Sequence, residues 1–118
     1  MARVFDRGDI VRVNLNPAAG HEMQGDMRPC LVISSAVFNR VAGVSYVAPI
    51  SQGGNYARLA GFTVSLMNSG CKTQGVAIIS MTRPVDLAAR GARKVEKAPD
   101  LVVDEAVAKF TGMFEAAG

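Results

Sequence analysis

The spacing of apolar residues changes once in this chain, at Pro99, and that change constrains the fold more than any other feature. Beyond Pro99, the residues Val103, Ala106, Val107, Phe110, Met113 and Phe114 recur at three-and-four spacing, the stripe of an amphipathic helix. Pro99 suits a first helical turn, and Asp100, Asp104 and Glu105 lie where the helix dipole favours anions. Before Pro99 the apolar residues come in short segments separated by Gly, Pro and Asn. Asp9–Leu15 alternates from Val11 on, with Val11, Val13 and Leu15 one way and Arg12 and Asn14 the other, the period of a half-buried strand. Cys30–Ser35 and Val44–Ile50 are continuous apolar runs, Phe62–Leu66 alternates again, and Gly75–Ser80 and Ala92–Lys97 complete the strand candidates. Thr82–Leu87 contains Pro84, which restricts it to an edge. Ala36–Val41 reads as a helical turn ended by Gly43. The expectation is one domain over residues 1–118: a small, twisted, mostly antiparallel sheet or open barrel capped by a C-terminal helix. Phe110 and Phe114 are expected to pack onto that sheet.

The stretch from Asn16 to Pro29 interrupts this economy. It joins two strand candidates, is punctuated by Pro17, Gly20 and Gly25, and holds the chain's one histidine, His21, beside Glu22 and ahead of Arg28. Loops this long inside a compact domain are usually functional or disordered. Apolar strands on both sides argue against disorder, so the loop reads as the working surface.

Charge adds a partner class. From Pro99 onward four acids face one base, a net −3, whereas residues 1–98 hold twelve bases and six acids, a net +6. A basic body points to a polyanion partner. No run approaches the roughly 18–20 apolar residues of a membrane helix, and the N-terminal residues contain no apolar core of a secretory signal. Cys30 and Cys71 suggest neither a disulfide framework nor a metal spacing. A cytoplasmic protein without metal or cofactor is therefore expected.

At this level the chain resembles a known family. Gly8-Asp9-Ile10-Val11, Asn16-Pro17, Gly20-His21-Glu22, Arg28-Pro29, Pro49-Ile50-Ser51, Gly53-Gly54-Asn55, Ala57-Arg58, Ala60-Gly61-Phe62 and Asp86…Ala89-Arg90 resemble, in order, the MazF/PemK/Kid toxins, especially the PemK/Kid and ChpB-like branch. The resemblance implies an SH3-like small barrel of the CcdB/Kid/MazF type and a homodimer. It also implies the toxin of a type II toxin–antitoxin pair, a metal-independent endoribonuclease that cuts single-stranded mRNA at short sequences. The implied partners are single-stranded RNA and an antitoxin whose disordered tail blocks the site. In the implied chemistry the RNA 2′-hydroxyl attacks the adjacent phosphate, leaving a 2′,3′-cyclic phosphate and a 5′-hydroxyl.

That reaction needs a base, an acid and positive charge on the phosphorane. Arg28 matches the family's loop arginine, whose guanidinium can clamp phosphate oxygens. Ser51 matches a position that carries Thr in relatives and offers a hydroxyl to the phosphate or the 2′-hydroxyl. His21 or Glu22 could serve in proton transfer. Gln24, Gln52, Asn55, Arg58, Phe62, Lys72 and Gln74 fall in stretches that in relatives border the RNA groove, and Phe62 could stack a base. Arg83 and Arg90 could hold more distant phosphates. The chain departs from the Kid-like pattern after Gly75, where an arginine and an aspartate proposed as acid and base are replaced by Ile78 and Ser80, and a usual glutamine by Met81. This chain cannot use that pair. Either Arg28 with Glu22, His21 and Ser51 carries the chemistry, or activity is weakened or lost, leaving a homologue that only binds RNA or antitoxin. A gyrase-directed interaction toxin of the CcdB type is the alternative on the same architecture.

Overall fold

The computed structural model describes residues 4–16, 27–53 and 61–115. The sheet is assembled about its longest strand, β3 (Ser45–Ser51); counting in chain order, β1 is Asp9–Val13, β2 Arg28–Val32, β4 Thr63–Ser65, β5 Val76–Ile78, β6 Arg83–Val85 and β7 Arg93–Lys97. One edge of β3 pairs with β2, through Cys30 opposite Pro49, Leu31 opposite Ala48 and Val32 opposite Val47. The other edge is shared. β6 pairs with the start of β3 and β5 with its end. Between β5 and β6 the chain steps sideways through a 3₁₀ turn at Ile79–Met81. Pro49, which has no N–H to donate, falls in the interval between those two ladders. The main path runs β4-β5-β3-β2-β1-β7, with β6 beside β3, and each pairing is antiparallel. β6 carries Pro84 on an edge, as its sequence requires.

The sheet buries both faces. On one, Ile10, Leu31, Ala48 and Ile50 meet Val64, Leu66, Ala77 and Ile79 beneath the C-terminal helix α2 (Asp100–Gly112), which contributes Val102, Val103 and Ala106. On the other, Val11, Val13, Cys30, Val32 and Val47 pack with Phe5, Leu15, Val85 and Leu87. Alternate residues of β1, β2 and β3 thus enter different cores. The first strand is buried more fully than its alternation from Val11 on suggests: Ile10 is buried as well, and Arg12 is the strand's one exposed residue. Alternation in the sequence marks two faces but does not reveal that α2 covers the start of the second.

Other boundaries shift for local reasons. β2 starts two residues before the expected Cys30, taking in Arg28 and Pro29. β5 stops at Ile78 because residues 79–81 turn. In α2, Val107, Phe110 and Met113 lean on the core as expected. Phe114 instead lies beyond the helix, 72% exposed, touching Phe110 edge-on at 5.3 Å between ring centroids.

A short helix, α1 (Ala36–Ala42), links β2 to β3; the Ser35 side chain accepts from the Phe38 N–H at its start, and Gly43 ends it at φ +76°. Inside it, buried Asn39 donates through Nδ2 to the Phe5 carbonyl at 2.7 Å and accepts from Ser34 Oγ. Ser34 Oγ in turn accepts from the Tyr46 N–H at 2.9 Å. This amide ties the N-terminal segment, α1 and β3 together. Asn39→Ala should lower stability by about 1–3 kcal/mol, because it strands buried partners; urea titration with an unchanged m-value checks this.

Candidate functional site

A cleft of ≈ 380 Å³ opens at the end of β2 and β3, walled by Arg12, Arg28, Pro29, Ile50, Ser51, Gln52 and Gly53. The β2–β3 register explains why these residues meet. Continued to the strand ends from Cys30 opposite Pro49, it sets Arg28 opposite Ser51. Arg28 Nη1 donates to the Ile50 carbonyl at 3.2 Å, so the guanidinium is tethered to the neighbouring strand rather than sweeping through solvent. Ser51 Oγ donates to the Gly53 carbonyl at 2.7 Å.

Two backbone features set this geometry. Met27, the residue before Arg28, is in the left-handed region at φ +50°, a conformation that costs a non-glycine residue energy and that clusters at functional sites. Its carbonyl accepts from Arg12 Nη1 at 3.0 Å, which pins the turn delivering Arg28. On the other side of Ser51 stands Gly75, at φ +120°, where an added Cβ would lie 2.5 Å from the Ser51 carbonyl oxygen. Only glycine allows β5 to approach β3 so closely at this point.

The loop between β4 and β5 is latched from β7. Glu96 accepts from the Thr73 N–H at 2.7 Å, the Lys72 N–H at 3.0 Å and the Thr73 hydroxyl at 2.8 Å. Burial acts to raise the Glu96 pKa, but these donors and the Lys72 charge outweigh it and hold the carboxyl below its ordinary value of 4.5. Gln74 Nε2 donates to the Cys71 carbonyl at 2.8 Å, and Gln52 Nε2 approaches the Gln74 carbonyl at 3.4 Å. The latched loop therefore reaches the rim of the cleft through Gln52.

The structure brings Arg28, Ser51 and Gln52 together in the cleft, with Gln74 at its rim. Lys72 is exposed on the latched loop, outside the cleft lining, and Phe62 is 37% exposed before β4. Arg83 approaches the Leu15 carbonyl at 3.4 Å, and Arg90 Nη1 donates to the Asn14 and Asn16 carbonyls at 2.8 and 2.7 Å. Both guanidiniums thus hold the chain where it enters the long loop. His21, Glu22, Gln24, Asn55 and Arg58 lie outside the described residues. Ile78 is fully buried and Ser80 is exposed on the 3₁₀ turn. The position where the Kid-like pattern carries an arginine is here a core position. Cys30 is also a packing residue: burial pushes its thiol up to about 12, against the opposing pull of the Arg28 and Arg83 charges, so it stays protonated at neutral pH.

Sequence reasoning did not single out Arg12, Gly75 or Glu96. Arg12 had a visible signal, a lone cation between valines. The roles of Gly75 and Glu96 depend on contacts with strands far away in the chain.

Residues 6–114 match the model of the PemK-like, MazF-like toxins of type II toxin–antitoxin systems. The chain belongs to this family. It is 47% identical over 111 residues to the endoribonuclease toxin ChpB of Escherichia coli strain K12, covering 94% of this chain and 95% of ChpB. The fold is that of MazF (Form-I) from Deinococcus radiodurans, with a TM-score of 0.81, 31% identity and coverage of 94% of this chain and 96% of that one. A MazE–MazF structure (Form-III) from the same organism aligns at a TM-score of 0.75 and 29% identity, with the same coverage. The segments Arg28-Pro29 and Ile50-Ser51, far apart in the chain, wall the cleft together. Arg12 stands outside those segments.

The Glu96 latch predicts a pH signature. A depressed carboxyl contributes stability above 4.5, and that contribution is lost as pH falls through its lower folded value. Glu96→Gln should therefore lower the melting temperature at pH 7, and the gap to wild type should close in acid. Melting curves from pH 7 to pH 3 check this.

Proposed function

We propose that this chain is the endoribonuclease toxin of a type II toxin–antitoxin pair, and that the Arg28–Ser51 cleft is where it cuts single-stranded mRNA. The observation that carries this reading is the convergence of the family segments Arg28-Pro29 and Ile50-Ser51 on one cleft, in a family whose relative ChpB is named an endoribonuclease toxin. Arg28 forms the phosphate clamp. Its fork suits two non-bridging oxygens, and its tether to the Ile50 carbonyl leaves little freedom to lose on binding. Positive charge held there favours the phosphorane over the ground-state phosphate. Ser51 offers its hydroxyl to the phosphate or the 2′-hydroxyl after releasing Gly53. Glu22 or His21, on the loop that Arg83 and Arg90 hold at its entry, moves the proton. Gln24, Gln52, Asn55, Arg58, Phe62, Lys72, Gln74 and Arg83 supply the RNA groove. With Ile78 inside the core, the chemistry does not run through the Kid-like pair.

No metal takes part in this scheme. The sequence has one histidine, both cysteines are buried, and among the described residues no group of three His, Cys, Asp or Glu side chains could hold an ion. The partners are single-stranded RNA, a second copy of the chain in a two-fold dimer and an antitoxin with an acidic, disordered tail. The MazE–MazF neighbour supports an antitoxin partner. The site of action is the cytoplasm; among the described residues no helix is long and apolar enough to cross a membrane. A gyrase-directed toxin is not favoured, because the relatives are named endoribonucleases.

Purified protein should cleave a long single-stranded RNA in EDTA. Arg28→Ala should slow cleavage by about 10²–10³-fold, the cost of removing a preorganised charge stabiliser, with an unchanged circular dichroism spectrum. Ser80→Ala should leave the rate unaltered. Intact RNA with wild type, or full activity in Arg28→Ala, overturns the reading.

A further inference from the structure

The positive surface continues beyond Arg28. On the ladder between β1 and β7, Arg12 lies directly opposite Arg93, so both side chains leave the sheet on one face. Both residues are exposed. Like charges directly opposite each other weaken an antiparallel pair. The neighbouring cations of β7 have acidic partners: Lys94 lies 3.3 Å from buried Asp9, and Lys97 lies 3.8 Å from Asp9 and 3.9 Å from Asp6. Glu96, the acid of β7, is spent on the Lys72–Thr73 loop. Among the described residues neither Arg12 nor Arg93 has an ion pair. Arg12 also walls the cleft that holds Arg28. A cationic strip therefore leaves the cleft and crosses β1 to β7, about 14 Å from β3 at ordinary strand spacing.

We infer that Arg12 and Arg93 form a secondary backbone-binding site for RNA, holding phosphates of nucleotides that flank the one being cut. This inference rests on the reading of the cleft as an RNA-cleaving site. Phosphates lying over the strip would relieve the Arg12–Arg93 repulsion and release counterions. Guanidinium forks suit phosphate oxygens, and continuity with the Arg28 cleft favours the substrate strand over an acidic peptide as occupant. Contacts of this kind fix register and carry no base preference.

The test compares wild type, Arg12→Ala, Arg93→Ala and the double variant, with Arg40→Ala on α1 as control. Binding of fully 2′-O-methylated single-stranded RNA is followed by fluorescence anisotropy across a salt series, beside cleavage kinetics on unmodified RNA. Each single variant should bind RNA about 3–10-fold more weakly, the worth of one such contact. Each should lower the slope of log K against log salt by about 0.7. Arg93→Ala should raise KM and leave kcat unchanged, and Arg40→Ala should match wild type. Unchanged affinity and slope in the double variant overturns the proposal. So does a loss confined to binding of an acidic peptide, or a kcat defect in Arg12→Ala with none of these effects in Arg93→Ala, which would reduce Arg12 to a support for Met27. If wild type binds with these slopes but does not cleave, the track stands and the cleavage reading falls.

Discussion

The close approach of β5 to the end of β3 is the contact on which the cleft depends. Gly75 at φ +120° meets the Ser51 carbonyl in a space that no Cβ could share. That contact closes one edge of β3 as far as Ser51, while β2 closes the other. With both edges paired, the last residues of β3 cannot fray. Arg28 can then use the Ile50 carbonyl as a fixed acceptor. Under the proposed function this rigidity serves the chemistry: a charge that does not reorganise during reaction stabilises a transition state better than one that must first be gathered.

The cations of the basic body serve different ends. Lys94 and Lys97 pair with Asp9 and Asp6, and Arg90 binds two backbone carbonyls at the entry to the long loop. Arg28 and Arg12 remain at the cleft, and Arg93 lies at the far end of the strip. Net charge alone therefore overstates the surface available to a polyanion. The part that matters is the strip where the protein supplies few counter-charges of its own.

Much of the fold was legible in the chain because its signals are local. The three-and-four spacing after Pro99 marks α2, Gly43 ends α1 in the left-handed conformation, and Pro84 lies in the edge strand β6. Errors arose where the deciding contact is distant. Nothing local in the sequence shows that Ile10 shares a core with α2, and Phe114 carried the helical period one residue beyond what the core could cover. The cleft was legible in part. Arg28 and Ser51 were found through the ordered motifs of the family. Arg12 was passed over because a charge on an alternating strand reads as ordinary solvent exposure. Only the β1–β7 register shows it facing another arginine. Glu96 was invisible for the same reason, since its donors lie 23 and 24 residues away in sequence.

The central claim is that Arg28, held at the end of β3, promotes attack of the RNA 2′-hydroxyl on the adjacent phosphate, with the 5′-oxygen leaving, without a metal. The most direct measurement is the mass and end chemistry of RNA fragments produced in EDTA. The account predicts 5′ fragments ending in a 2′,3′-cyclic phosphate and 3′ fragments starting with a 5′-hydroxyl, with none from RNA whose 2′-hydroxyls are methylated. Fragments bearing 5′-phosphates, or cleavage of the methylated RNA, would contradict it.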